Sequence, residues 1–370
     1  MRSKIIIGVL VFASLLTASG LAKAQSLPFP PDEYFIGEIL SVELGRQEEL
    51  LGAPRQFLNV RVLMRSGELK DEEIVIEDED RFAGDSAQWP QAGDEVVVVR
   101  IWNNEQEFFY RIDDHYRLPA LGWIFAVFLA LVIFFGRKKG FGAIVGLSIS
   151  VLILRYYVIP RLMSGESPAL TTFVGSLLIV LFSTTCAHGF MKRTYVALGS
   201  TLITLSLSVL FAQVFVRATR LFGAGSEEAF YLQMSGVANF NLQGLLLGGI
   251  IIGMLGILDD VTTAQSAAVE EIQKANTSFS FRELYQRGIS VGKEHIASLV
   301  NTLVLAYAGA SLPLFMLFVI NSAQVPAWVL LNGEFIAEEV VRALAGSVAL
   351  VLAVPISTML AARVFSRRQG

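Results

Sequence analysis

Two adjacent carboxylates, Asp259 and Asp260, close the glycine-rich apolar run Leu242–Leu258. Gly249, Gly253, Gly256 and Asp260 recur at i, i+4, i+7 and i+11, which places them on one face of a helix. Thr263, Ala264, Ala267 and Glu271 continue that face. Small residues at this spacing let a neighbouring backbone approach closely, so Gly249, Gly253 and Gly256 are expected to pack against another helix. A carboxylate at the end of such a groove suits a proton or cation acceptor between helices; the plainer reading is an aspartate beside the lipid headgroups. In the next apolar stretch Glu294, Asn301 and Tyr307 approach from the same end, with His295, Ser298 and Thr302 at i, i+3 and i+7. Asn301 would reach Asp260 if the two consecutive helices pack antiparallel. The expected ion- or proton-coupling set is therefore Asp260, Asp259, Asn301, Thr302 and Glu294. His188, beside Thr184 and Thr185, reads as an interfacial residue, and Arg155 as one that snorkels.

Other chemistries are poorly served. Cys186 is the single cysteine, so there is no internal disulfide and no cysteine zinc cage. His115, His188 and His295 lie far apart in sequence, and neither H-E-x-x-H nor G-x-S-x-G occurs. An aspartyl protease needs two carboxylates from different helices sharing a proton, whereas Asp259 and Asp260 are neighbours pointing about 100° apart. No enzyme, cofactor or metal site is expected. Glu77–Asp80 lacks the D-x-D-x-D-G spacing of a calcium loop and reads as a solvated loop. Net charge is −4 with no basic stripe, which disfavours nucleic acid.

The elements that must position these residues are set by composition. The 370 residues are 54% apolar and 17% charged, with a mean hydropathy of +0.57, too apolar for a water-soluble globule. Charge is divided: Gln25–Arg117 holds 21 acidic and 9 basic residues, and the remainder is net basic. Residues 1–24 show Arg2 and Lys4, an apolar core from Ile5 to Leu16 and an Ala22-Lys23-Ala24 ending, the layout of a secretory signal or an uncleaved anchor. Residues 25–116 alternate apolar and polar positions at Tyr34–Ile39 and Gln56–Val62, and hold further strand-like runs at Glu72–Glu77, at the β-branched Val96–Val99 and at Phe108–Ile112. Five short strands predict a small extracytoplasmic β-barrel of OB or SH3-like type.

Residues 117–370 form a polytopic helical region. Apolar stretches at Ala120–Phe135, Phe141–Ile159, Leu170–Phe190, Tyr195–Val216, Leu242–Leu258, Leu299–Ile320 and Val340–Ala362 predict seven membrane spans. Alternate connections gather twelve Lys/Arg on one side and only Arg161, Arg217 and Arg220 on the other. The basic side is cytoplasmic by the positive-inside rule, placing the β-domain outside and the C-terminus inside. Ser167-Pro168 reads as a helix start, Asn276-Thr277 as a helix end, and Ser280-Phe281-Arg282-Glu283 as a capping box opening a cytoplasmic amphipathic helix.

The blocks Gly253–Ala268, Gly292-Lys-Glu-His and Asn301–Gly309, with Ser235-Gly236 and Asn241-Leu-Gln-Gly, resemble the YibE/F-like family of bacterial multi-pass membrane proteins over roughly Gly122 to Phe318. The resemblance implies an inner-membrane location and matches the family's Asp at Asp260 and its Asn-Thr at Asn301-Thr302. Asp259 and His295 depart from it, standing where an uncharged residue is expected. It implies nothing about substrate.

Three functions remain. A transporter or exporter component with Asp260 as its coupling site stands first. A non-transporting envelope factor, whose external β-domain binds a partner, stands second, and an intramembrane enzyme last. The partners expected are the bilayer, an unidentified small solute, ion or envelope component, and a second copy of the chain in a homo-oligomer.

Overall fold

A computed structural model of the chain describes residues 32–50, 53–79, 91–102, 108–234, 241–321 and 325–366. The signal-like segment at 1–24, Asp80, Ser235, Gly236, Arg367 and Arg368 lie outside the described residues. Two compact units part between Ala130 and Leu131.

In the first unit all five expected segments are strands: β1 (Glu33–Leu50), β2 (Ala53–Met64), β3 (Glu73–Glu79), β4 (Glu95–Trp102) and β5 (Phe108–His115). They form one antiparallel sheet in the order β3-β2-β1-β4-β5. The long β1 serves two partners, pairing with β4 from Glu33 to Glu38 and with β2 from Gly37 onwards. Register shifts at Ile39/Ser41 and Leu44/Gln47 fall within its ladder with β2, beyond the stretch paired with β4, and bend the strand there. One set of alternating side chains builds the core, with Phe35, Ile39, Val60, Val62, Met64, Ile76, Val96, Val98 and Ile112 buried together.

Two expectations are corrected here. The sheet is not a closed barrel, because closure needs the edge strands to bond to each other, and among the described residues the ladders of β3 and β5 run only to β2 and β4. Glu77, Asp78 and Glu79 are not loop residues; they end β3, paired with Asn59, Leu58 and Phe57. The backbone ladder accepts an acidic run on an edge strand, where charge blocks pairing with a further strand.

The second unit is helical. Helix α1 (Leu118–Ile153) begins within the first unit and runs through a π-helical turn (Leu154–Val158) into the short α2 (Ile159–Met163). Helices α3 (Pro168–His188), α4 (Lys192–Ala218), α5 (Glu227–Met234), α6 (Leu242–Ala275) and α7 (Phe281–Ala310) follow. Last come α8 (Leu312–Asn321), α9 (Ala327–Leu331) and α10 (Glu334–Phe365). The local signals for their ends hold: Pro168 is the first residue of α3, Asn276 caps α6, and Ser280 and Glu283 complete a capping box. Helix α6 is the hub, packed by α3, α4, α7 and α10. Its Leu247, Ile250, Ile251, Met254, Leu258 and Val261 are buried with residues of those helices, including Ile179, Leu205 and Leu350.

Among the described residues, five helical segments are long and apolar enough to cross a membrane: Leu118–Met163, α3, α4, α6 and α10. The pair α7 and α8, bent by 67°, makes a sixth. The count of seven is not reproduced, for a local reason. The first two expected spans share one helical segment of 46 residues. Its backbone breaks at Arg137, which has φ 50° and ψ −126°. A Cβ added to Gly140 would stand 3.0 Å from the carbonyl carbon of Val132. Residues eight apart in a straight helix are about 12 Å apart along its axis, so the chain turns sharply here. The amphipathic start and the apolar stretch expected to follow it form one helix, α7, and the break falls instead at Ser311 before Pro313.

Candidate functional site

Helix α6 carries polar residues at Asp259, Thr262 and Gln265, a spacing of three. Each step of three advances about 300° around a helix, so the three side chains fan out towards different neighbours. Asp259 reaches α3, where its Oδ1 lies 2.7 Å from Thr184 Oγ1 and its Oδ2 lies 3.4 Å from Ser183 Oγ. Thr262 reaches α4, with 2.7 Å between its hydroxyl and that of Thr201. Gln265 Nε2 donates to Thr358 Oγ1 of α10 at 2.8 Å and to the Gly288 carbonyl of α7 at 2.7 Å. In an apolar interior such bonds fix which helices touch and in what register, because a partner lost there leaves a buried polar group unpaired.

Asp260 points elsewhere. With Asp259, Thr263, Ala264 and Ala267 it forms one wall of a cleft of about 340 Å³, completed by Lys139 of α1, His188 of α3 and Arg193 of α4. Two carboxyls thus meet two permanent cations and an imidazole. Arg193 also lies 3.5 Å from Glu270, which in turn is 3.6 Å from Lys274. Thr263 Oγ1 is buried without a hydrogen-bond partner in the same wall.

The expected site is only partly assembled. Asp259 and Asp260 share the cleft, but Asn301, Thr302 and Glu294 are exposed on α7 and do not line it. No hydrogen bond joins Asn301 to Asp260; Thr302 donates to its own helix at the Ser298 carbonyl, 3.1 Å away. The glycine face is also corrected. A side chain added at Gly249 or Gly256 would meet nothing within 4 Å, and at Gly253 only the Tyr307 hydroxyl, 3.5 Å away. The packed glycines of this helix are Gly244 and Gly248, whose added Cβ atoms would stand 2.8 Å from Pro168 and 2.8 Å from Thr172 of α3. Helical periodicity groups residues by face without saying which face a neighbour covers. His188 proves to be a cleft residue, and Ser183, Thr184, Thr262 and Gln265 were missed; the three-residue spacing of polar side chains after Leu258 was the signal for Thr262 and Gln265, and no such spacing marks Ser183 and Thr184 on α3.

The sequence pattern of the YibE/F-like protein family matches residues 124–367, from early in α1 to the end of α10, which is well over half of the chain. This chain belongs to the YibE/F-like family. The match extends beyond the stretch on which the resemblance was read, and takes in α10 with the Thr358 partner of Gln265. No curated protein matches the chain, and no solved structure does. The membership fits a membrane protein built from the apolar helices described above. Among the described residues, no group of three or more His, Cys, Asp or Glu is arranged to hold a metal ion.

At the opposite end of α10 from Thr358, another carboxylate cluster has a structural task. Glu334 accepts from the backbone N–H groups of Phe222 at 2.6 Å, Gly223 at 2.9 Å and Ala224 at 3.4 Å, and the buried Glu338 accepts from that of Gly225 at 3.0 Å. These bonds tie the α4–α5 connection to the start of α10.

Proposed function

We propose that the chain is a component of a membrane transporter or exporter, not an enzyme, and that the Asp259–Asp260 cleft is where a coupling proton or cation is taken up. One observation carries the reading: two adjacent carboxyls on the hub helix are divided between tasks. Asp259 is held between helices by hydroxyls of α3, while Asp260 opens into a cleft with Lys139, Arg193 and His188. Intramembrane carboxylates facing a polar cavity are costly, and they are usually kept for ion or proton traffic.

In this reading the helical region crosses a bacterial inner membrane seven times. The turn at Arg137 supports two crossings for Leu118–Met163, and the bent α7–α8 pair supplies one. The cleft, with its Lys139 and Arg193, then lies on the cytoplasmic side, and the β-sheet unit outside. A second reading, an envelope factor that binds a partner through the β-sheet unit, draws support from the exposed Tyr34, Leu44, Val75, Phe108 and Phe109.

The purified full chain in proteoliposomes tests the first reading. Under an inside-negative potential, an internal pH dye should report proton entry, or a labelled monovalent cation should show counterflow. Asp260→Asn should insert and accumulate normally yet carry neither. Wild-type vesicles indistinguishable from empty ones in both assays overturn transport.

A further inference from the structure

Three buried threonines on three different helices use their hydroxyls in the same way. Thr184 donates to the Val180 carbonyl of α3 at 2.6 Å, Thr201 to the Ala197 carbonyl of α4 at 3.0 Å, and Thr358 to the Val354 carbonyl of α10 at 2.7 Å. Each is a bond to the residue four positions back. Each of these hydroxyl oxygens then has a second partner from α6, at 2.7, 2.7 and 2.8 Å. A hydroxyl has one proton to give and two lone pairs with which to accept. One proton cannot serve two acceptors, so both short contacts of each threonine are satisfied at once only where the second partner donates. For Thr201 the partner is the hydroxyl of Thr262, which is able to donate, and for Thr358 it is the amide Nε2 of Gln265, which does. For Thr184 the partner is a carboxyl oxygen of Asp259, and a carboxylate has nothing to donate. The Val180 carbonyl cannot supply the proton either.

We infer that Asp259 is held as the neutral carboxylic acid, its O–H donating to Thr184 Oγ1, and that the ligand of this site is a proton and not a metal cation. The assignment rests on the coupling function proposed above and names its carrier: Asp259 holds the proton, Thr184 is its positioning residue, and Asp260 is the neighbouring carboxyl that meets the cleft. The 2.7 Å between Thr184 Oγ1 and Asp259 Oδ1 is the separation of two oxygens that share a proton.

The surroundings allow the proton to leave. The charged and titratable groups facing Asp259 are Asp260 on its own helix, His188 from α3, Arg193 from α4 and Lys139 from α1, all lining one cleft. The cations Lys139 and Arg193 offset the charge left behind when the proton passes into the cleft. Without its proton Asp259 would compete with the Val180 carbonyl for the single hydrogen of Thr184. Loss of the proton therefore weakens the contact between α3 and α6, which links proton release to helix movement.

Infrared difference spectroscopy on the full chain in lipid nanodiscs at neutral pH tests this. The wild-type-minus-Asp259→Asn spectrum should show the carbonyl stretch of an un-ionised carboxyl. Glu338, buried at the other end of α10, cancels in that difference. Asparagine can donate from Nδ2 in place of the acid, so Asp259→Asn should melt with the wild type. Thr184→Val should move the band, and Thr184→Ser should restore it. Absence of the band in the difference spectrum overturns the inference, as does a band removed by Asp260→Asn and not by Asp259→Asn. If the band is present but proteoliposomes carry no proton or cation, the transport reading fails and the protonation of Asp259 stands.

Discussion

Replacing Gly142 by alanine tests a close backbone crossing in the helical unit. Gly142, on the part of α1 beyond the Arg137 break, lies against the end of α3. A Cβ there would overlap the carbonyl oxygen of Cys186 and stand 3.0 Å from its carbonyl carbon and 3.2 Å from Ala187 Cα. Carbon atoms in contact prefer about 3.5–4.0 Å, so the two backbones must separate by roughly 0.5–1 Å. The obstructing atoms are backbone and cannot rotate away, which puts the cost towards the upper end of the ~1–3 kcal/mol range for overpacking. Alanine's better helix propensity returns up to about 1 kcal/mol. The net loss of ~2 kcal/mol corresponds to a melting temperature lower by about 4–8 °C for a unit of this size. Cys186, the chain's single cysteine, sits at the crossing itself, so a thiol-reactive dye reports its opening during a thermal ramp in detergent. Gly249→Ala and Gly256→Ala are the controls, since their added methyls meet nothing. They should melt with the wild type or slightly above it. A Gly142→Ala protein as stable as the wild type would refute the crossing. Controls damaged as badly as Gly142→Ala would mean that the glycine face is covered, as in a homo-oligomer.

Residues 28–115, expressed alone, should give a circular-dichroism spectrum dominated by strand, and Ile39→Ala, at a site 1% exposed, should cost about 2–5 kcal/mol in urea unfolding; a helical or disordered spectrum would count against an autonomous sheet. A reporter active only in the cytoplasm should work when fused after Gly370 and stay silent when fused near Arg117; the reverse pattern would sink the seven-crossing reading.

How far the sequence alone carries the fold depends on what kind of information a pattern holds. Period-two alternation located β1 and β2, and short β-branched or aromatic runs between turn residues located the other three, because each strand had to send side chains into the core around Val60 and Val62. It could not say that the sheet stays open, since closure depends on how β3 and β5 meet after the bends in β1. Hydropathy found the apolar segments, yet it is blind to backbone dihedrals such as the positive φ of Arg137 and to the bend at Ser311. At the site, Asp259 and Asp260 were legible as unusual, and the wall Asp260–Thr263–Ala264–Ala267 follows from helical spacing. The division of labour between the two aspartates was not legible. It is decided by Thr184, some 75 positions earlier, and by the residues around the helix that α3, α4 and α10 happen to cover.

The self-contained hydroxyls also bear on how the protein is made. Thr172, Ser200, Thr204 and Ser357 each bond to the carbonyl four residues back in their own helix, as Thr184, Thr201 and Thr358 do. These seven hydroxyls of α3, α4 and α10 can therefore enter lipid already bonded within their own helices as they leave the ribosome. Gln265 of the hub cannot. When α6 emerges, Asp259 finds Thr184 and Thr262 finds Thr201 on helices already delivered, but the Gly288 and Thr358 partners of Gln265 are still to be synthesised. Until they arrive, one amide side chain of the central helix must be sheltered by water, by the insertion machinery or by a chaperone, and assembly is finished only when α10 closes over it.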